Sequence, residues 1–133
     1  MNNISSMQKN NARNRKKTIM VVDNTPLMLS ILGSIILGGG YGFTHTRSVK
    51  NVMNLIESHK PDLLILRTDR PDMDGYELAE ELNEQGNTVP MIFLSDEATK
   101  KSVIKAYQMG AKDYITKPFD KNAILNKISR QFV

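Results

Sequence analysis

The chain has 133 residues, 40% of them hydrophobic, no cysteine and a formal net charge of +4. That length suits one domain with its own core, and the lack of cysteine excludes disulfides and thiolate metal sites. The most apolar stretch, residues 27–37, is broken by Ser30, Gly33 and Ser34 and falls far short of the roughly 20 residues of a membrane span. The positive balance is local, because Lys9, Arg13, Arg15, Lys16 and Lys17 all precede the first acid, Asp23. Without those five charges residues 18–133 sum to −1, so a nucleic-acid-binding surface on the domain itself is not expected. Residues 1–17 lack the apolar run and small-residue cleavage site of a signal peptide. Their asparagines and scarce apolar residues predict a disordered, basic, solvated leader, with an arm for nucleic acid or an anionic surface as the alternative.

In chain order, residues 19–22 form a short apolar run ending at Asp23, which predicts a buried strand. Asn24-Thr25-Pro26 then predicts a capped helix start, and the helix carries Met28, Leu29, Ile31, Leu32, Ile35 and Ile36 before stopping at Gly38-Gly39-Gly40. Residues 41–46 predict a second strand and 49–58 a second helix. Residues 63–66 are all aliphatic, the pattern of a strand buried on both faces. A loop over 67–74 leads to a helix over 75–83, a strand over 91–94, a helix over 99–109, a strand over 114–116 and a helix over 122–132. Five strands alternating with five helices predict a flavodoxin-like doubly wound α/β fold with a parallel sheet of order 2-1-3-4-5. Such a fold gathers its site at the carboxyl ends of the strands, here Asp23, Asn24, Arg67, Ser95 and Lys117.

Several anchors at these ends recur in order: Val21-Val22-Asp23 with Pro26, Pro61-Asp62-Leu63-Leu64-Ile65-Leu66, Pro71-Asp72-Met73-Asp74-Gly75, Phe93-Leu94-Ser95, and Gly110-Ala111-Lys112-Asp113-Tyr114-Ile115-Thr116-Lys117-Pro118-Phe119. With this spacing residues 18–133 resemble the response regulator receiver domain, the CheY-like family. The resemblance implies two acids after the first strand, an acceptor aspartate after the third, a hydroxyl residue after the fourth, and a lysine followed by a cis proline after the fifth. It also implies a magnesium ion between the acids. Asp23 matches the first acid, Ser95 the hydroxyl, Lys117 the lysine, Pro118 the cis proline and Tyr114 the aromatic switch, which works with Ser95.

Two positions depart from that pattern. Asn24 stands where the second acid belongs and Arg67 where the acceptor belongs, with the register pinned by Pro61-Asp62 before it and Pro71-Asp72-Met73-Asp74-Gly75 after it. A guanidinium stays charged and has no lone pair for a metal or for phosphorus. Asp23 against Arg67 and Lys117 leaves the pocket at +1. Magnesium binding is therefore expected to be lost or very weak, no cofactor is expected, and phosphorylation at residue 67 is excluded. Arg67 has three uses: a forked ion pair with Asp23, with Asp69 as a further acceptor; an anion pocket shared with Ser95; or a dead site with the arginine turned to solvent. Asp69 or Asp23 remains an alternative phosphoacceptor.

Function then moves to the faces. Lys100, Lys101, Lys105, Lys121, Lys127 and Arg130 form a basic surface on the last two helices, where the resemblance implies a partner; solvated charge is its plain alternative. The third helix is acidic, with Glu77, Glu80, Glu81 and Glu84. The uncharged first helix is expected to show Ser30, Gly33, Ser34 and Leu37 outward, as a docking face for a kinase or phosphotransfer protein or as a homodimer face. The expected function is that of an atypical, single-domain, cytoplasmic response regulator with no enzymatic activity, acting as a phosphorylation-independent interaction module in a two-component or phosphorelay pathway. Its expected partners are a histidine kinase, a phosphotransfer protein or an output protein. The rivals are a receiver phosphorylated at a non-standard aspartate and a small-anion or cofactor-binding flavodoxin-like protein, although Asp23-Asn24-Thr25-Pro26 is no phosphate-cradling loop.

Overall fold

The computed structural model describes residues 15–133, so the reading of the leader falls largely outside the described residues. Five strands, β1 (Thr18–Val22), β2 (Gly42–Thr46), β3 (Leu63–Arg67), β4 (Met91–Leu94) and β5 (Asp113–Ile115), form one parallel sheet in the order β2-β1-β3-β4-β5. Five α-helices alternate with them: α1 (Pro26–Gly38), α2 (Val52–His59), α3 (Gly75–Glu84), α4 (Lys100–Gln108) and α5 (Lys121–Ser129). Two 3-10 turns complete the chain, Val49–Asn51 before α2 and Arg130–Phe132 after α5, so the last helix breaks earlier than its apolar pattern predicts.

The alternation of side chains along each strand divides the core into two layers. Met20, Val22, Leu64, Leu66, Phe93 and Tyr114 face one way and are covered by Val52 and Ile56 of α2, Leu78, Ala79 and Leu82 of α3 and Ala106 of α4. Ile19, Val21, Leu63, Ile65, Ile92, Leu94 and Ile115 face the other way, under Leu29, Leu32 and Ile36 of α1 and Ile124 and Ile128 of α5. Every residue of β3 is buried, as its unbroken apolar run requires.

Local sequence explains the helix boundaries. Pro26 opens α1, but Thr25 gives no side-chain cap; instead Asp23 Oδ1 accepts the Thr25 amide at 3.1 Å. Asp74 and Asp120 cap α3 and α5 through the amides of Glu77 and Ala123, and Thr99 and Ser102 close a capping box on α4. Arg15 and Lys17, assigned to the leader, already contact the domain. Arg15 pairs with Asp62 at 2.9 Å, and the Lys17 carbonyl accepts the Gly42 amide at 2.8 Å.

Candidate functional site

Asp23, Arg67 and Ser95 converge where the sheet order reverses, each 0–1% exposed, and they are the buried polar or charged residues among those described. The sheet ladder continues past the strands to fix them: the Asp23 amide donates to the Thr46 carbonyl, the Thr68 amide to Leu94 and the Ser95 amide to Ile115. In the β3–β4 register Arg67 lies opposite Leu94, which brings Asp69 and Asp96 to matching points two residues beyond.

Arg67 is the centre of the site. Its Nε and Nη2 donate to the two oxygens of Asp23 at 3.2 and 3.1 Å, a forked pair. Its Nη1 donates to Asp69 Oδ1 at 3.0 Å and to Asp96 Oδ1 at 3.1 Å. Four of the five guanidinium N–H groups are thus used. Arg70 Nη2 donates to the other oxygen of Asp96 at 3.1 Å, and Asp69 Oδ2 accepts the Asp96 amide at 2.8 Å. Burial alone would favour the neutral form of Arg67, but its bonds to Asp23, Asp96 and Asp69 and the Asp23 charge outweigh that and push its pKa up. Burial also opposes ionisation of Asp96, yet the Arg67 hydrogen bond and the charges of Arg67, Lys117 and Arg70 hold its carboxyl below the ordinary value.

One of the three uses offered for this residue and the charge count of its pocket are corrected. Arg67 does not swing into solvent, because three carboxylates draw it inward. The pocket is not at +1 either: Asp96 and Asp69 add two negative charges and Arg70 one positive, so Asp23, Asp69 and Asp96 balance Arg67, Arg70 and Lys117. Asp96 and Arg70 were missed because they lie in loops. The signal that would have found Asp96 is the parallel pairing of β3 and β4.

The remaining site residues divide. Asn24 turns across the loop and donates to Asp72 Oδ2 at 2.8 Å. Ser95 Oγ donates to the Glu97 carbonyl at 2.8 Å and lies 2.7 Å from the Tyr114 hydroxyl. Since a carbonyl only accepts and Ser95 has one hydroxyl proton, Tyr114 is the donor of that second bond. Ser95 and Tyr114 are therefore joined, and the Ser95 hydroxyl is committed away from an incoming anion. Lys117 is exposed and makes no hydrogen bond or ion pair among the described residues; it rims an open basin of about 530 Å³ with Asp69, Arg70, Asp96 and Thr99. The Lys117–Pro118 peptide is cis.

On the surface, Lys100, Lys101, Lys105, Lys121 and Arg130 are exposed. Lys127 is not free, since its Nζ reaches Asp113 Oδ1 at 3.0 Å and the Tyr114 carbonyl at 2.7 Å. On α1, Ser30, Ser34 and Leu37 face outward with Leu27, which is 71% exposed. Gly33 does not. It is buried against Phe43 of the edge strand, where a Cβ would lie 2.9 Å from the ring.

The chain is thus a doubly wound α/β domain with a five-stranded parallel sheet and a buried charged cluster at its switch point. The family model for the response regulator receiver domain matches residues 19–129, and the chain belongs to that family. It is 32% identical over 116 residues to the DNA-binding transcriptional regulator NtrC of Proteus hauseri, covering 87% of this chain and 24% of that protein. It is 28% identical over 111 residues to the response regulator SaeR of Staphylococcus aureus, covering 84% and 48%. The chain thus spans less than half the length of these curated relatives. A CheY-like receiver domain protein of known structure from Methanospirillum hungatei JF-1 superposes with a TM-score of 0.77 at 25% identity, covering 87% of this chain and 93% of that one. The protein is thus a receiver domain of two-component signalling, of the kind that meets kinases or output domains. Among the described residues no helix is long and apolar enough to cross a membrane.

Proposed function

We propose that this receiver signals by binding, without accepting a phosphoryl group, as a protein-interaction module of a cytoplasmic two-component or phosphorelay pathway. The observation that carries the reading is the position of the Arg67 guanidinium, held by four hydrogen bonds among Asp23, Asp69 and Asp96. By its family resemblance Arg67 replaces the acceptor aspartate, and Asn24 replaces the second acid. A guanidinium offers no nucleophilic lone pair at working pH. Its fixed positive charge does the electrostatic work that a cation does in the family pattern, neutralising carboxylates and tying three loops together.

The residues present do not fit the magnesium ion that the family implies. Magnesium wants oxygen ligands in near-octahedral array, but both Asp23 oxygens already receive Arg67 and Asn24 is turned to Asp72. Phosphorylation at Asp69 is disfavoured because each of its oxygens is engaged, one by Arg67 and one by the Asp96 amide. Asp23 is fully buried. An anion pocket is disfavoured by the zero charge balance and by the committed Ser95 hydroxyl. The proposal assigns the protein no catalytic step. Its partner is a histidine kinase, a phosphotransfer protein or an output protein.

The test is a ¹⁵N-amide NMR titration with magnesium, then with beryllofluoride as a phosphoryl mimic. Resonances of Asp23, Arg67, Ser95 and Tyr114 are expected to stay in place. Saturable shifts that require the metal overturn the proposal and make Asp69 and Asp23 the residues to mutate.

A further inference from the structure

The helices α3 and α4 lie side by side on one face of the sheet and are fastened at both ends. Tyr76 of α3 donates to the Ser102 carbonyl at 3.2 Å, and Asn83 donates to the Met109 carbonyl at 2.9 Å. Between these points Lys105 Nζ sits 4.2 Å from the Tyr76 ring centroid, and Tyr76 packs edge-on against Phe93. The pair therefore presents one rigid double-helix surface.

The charges on that surface are segregated by helix. α3 exposes Glu77, Glu80, Glu81 and Glu84 with no basic residue in its ten positions, while α4 exposes Lys100, Lys101 and Lys105 with no acid in its nine. Among the described residues none of these seven charges forms an ion pair within the protomer. Glu80 and Glu84 are one turn apart, as are Lys101 and Lys105, so each helix carries a matched charge pair at i and i+4. Ile104 and Tyr107, each 48% exposed, add apolar surface on α4.

An acidic ridge beside a parallel basic ridge is complementary to itself. A two-fold axis lying in the contact plane, parallel to the helices and passing between them, sets α3 of one copy against α4 of the other, twice, with the facing helices parallel. This is an isologous contact, which closes at two copies. We propose that the α3–α4 face is the site at which a second copy of this chain docks, the acidic ridge of Glu80 and Glu84 lying against the partner's basic ridge of Lys101 and Lys105, with Glu80 level with Lys105. The inference does not depend on whether any aspartate is phosphorylated. It also differs from the α1 dimer face that the sequence suggests, since that face has no charge to set its partner.

Charge reversal gives a sharp test. Lys101→Glu with Lys105→Glu makes the matched pairs on both helices acidic, and Glu80→Lys with Glu84→Lys makes both pairs basic. Sedimentation velocity at low salt is expected to show the wild type self-associating as a dimer, with affinity falling at least about tenfold as the Debye length shrinks from about 14 Å at 50 mM to about 4 Å at 500 mM salt. Each reversed variant alone is expected to be monomeric, and an equimolar mixture of the two to form a heterodimer, because every contact again joins opposite charges. All four positions are exposed, and circular dichroism with thermal melts verifies that each variant is folded. A monomeric wild type at low salt overturns the proposal. So does a dimer that survives either reversal, or a folded pair of variants whose mixture stays monomeric.

Discussion

Replacing Arg67 by methionine keeps most of the length of the side chain and removes its charge. The consequences are worked from the exposure of its three partners. Asp69 and Asp96 retain about a third of their surface to water, so water substitutes for the lost bonds and each costs at most about 1 kcal/mol. Asp23 has no such recourse, being 0% exposed and bonded to Arg67 through both oxygens. Its remaining donor is the Thr25 amide. Leaving a buried charge without its partner typically costs about 3–5 kcal/mol, a large part of the roughly 5–15 kcal/mol by which domains are stable. Urea unfolding followed by circular dichroism should therefore show a loss of about that size at pH 7. Adding Asp23→Asn removes the stranded charge, and the double variant should recover most of the deficit even where the single variant is too weak to measure. A loss under about 1 kcal/mol at pH 7, or a double variant no better than the single one, refutes the reasoning.

Asp96→Ala frees the β4–α4 loop from both Arg67 and Arg70, costs about 1 kcal/mol, and should speed amide hydrogen exchange over residues 95–99 while leaving β1 unchanged. The same variant should flatten the acid limb of the stability curve. In the wild type the depressed Asp96 pKa contributes stability that is fully present above the ordinary 3.8 and is lost as pH falls through the lower folded-state value. Gly75→Ala drives a Cβ into the backbone carbonyl of Arg67 and should lower stability by about 1–3 kcal/mol in urea unfolding, the range for overpacking. Arg67→Asp should create a magnesium site from the freed carboxylates. Its melting temperature should rise with added magnesium, by about 2.7 kcal/mol of stability at one hundred times the dissociation constant, while the wild type stays flat; an equal rise in both sinks the proposal.

Much of the fold is written in local pattern. The unbroken Leu63-Leu64-Ile65-Leu66 run demands a strand covered on both faces, and β3 is central and fully buried. Asp74-Gly75 does two jobs at once: Asp74 caps α3, and Gly75, with no Cβ, passes against the Arg67 carbonyl. Less legible were features set by tertiary contact. Gly33 falls on the stripe of Ser30, Ser34 and Leu37 by helical period, and only the lean of Phe43 from the neighbouring edge strand turns it into a buried position. Lys127 looks like one more solvated charge on α5, until Asp113 and the Tyr114 carbonyl at the end of β5 bring its ammonium inward.

The site shows the same division between what lies on a strand and what lies beyond it. Asp23, Arg67 and Ser95 end predictable strands, so their meeting follows from sheet order alone, and the Arg67–Asp23 fork follows from their charges. The charge balance does not follow, because it depends on loops. Asp69 and Asp96 are 27 residues apart in sequence, yet the β3–β4 register sets them equally far past their strands. There they take up the third N–H-bearing nitrogen of Arg67, and Asp96 also takes Arg70. A count over strand ends gives +1 and invites an anion; a count over the assembled cluster gives zero and invites none. An arginine enclosed by three carboxylates is a closed electrostatic unit, and through Asp96 it holds the loop that leads into α4, whose exposed face carries the lysines. Under the proposed function, the link from sequence to signalling runs through one side chain whose charge organises loops instead of reacting.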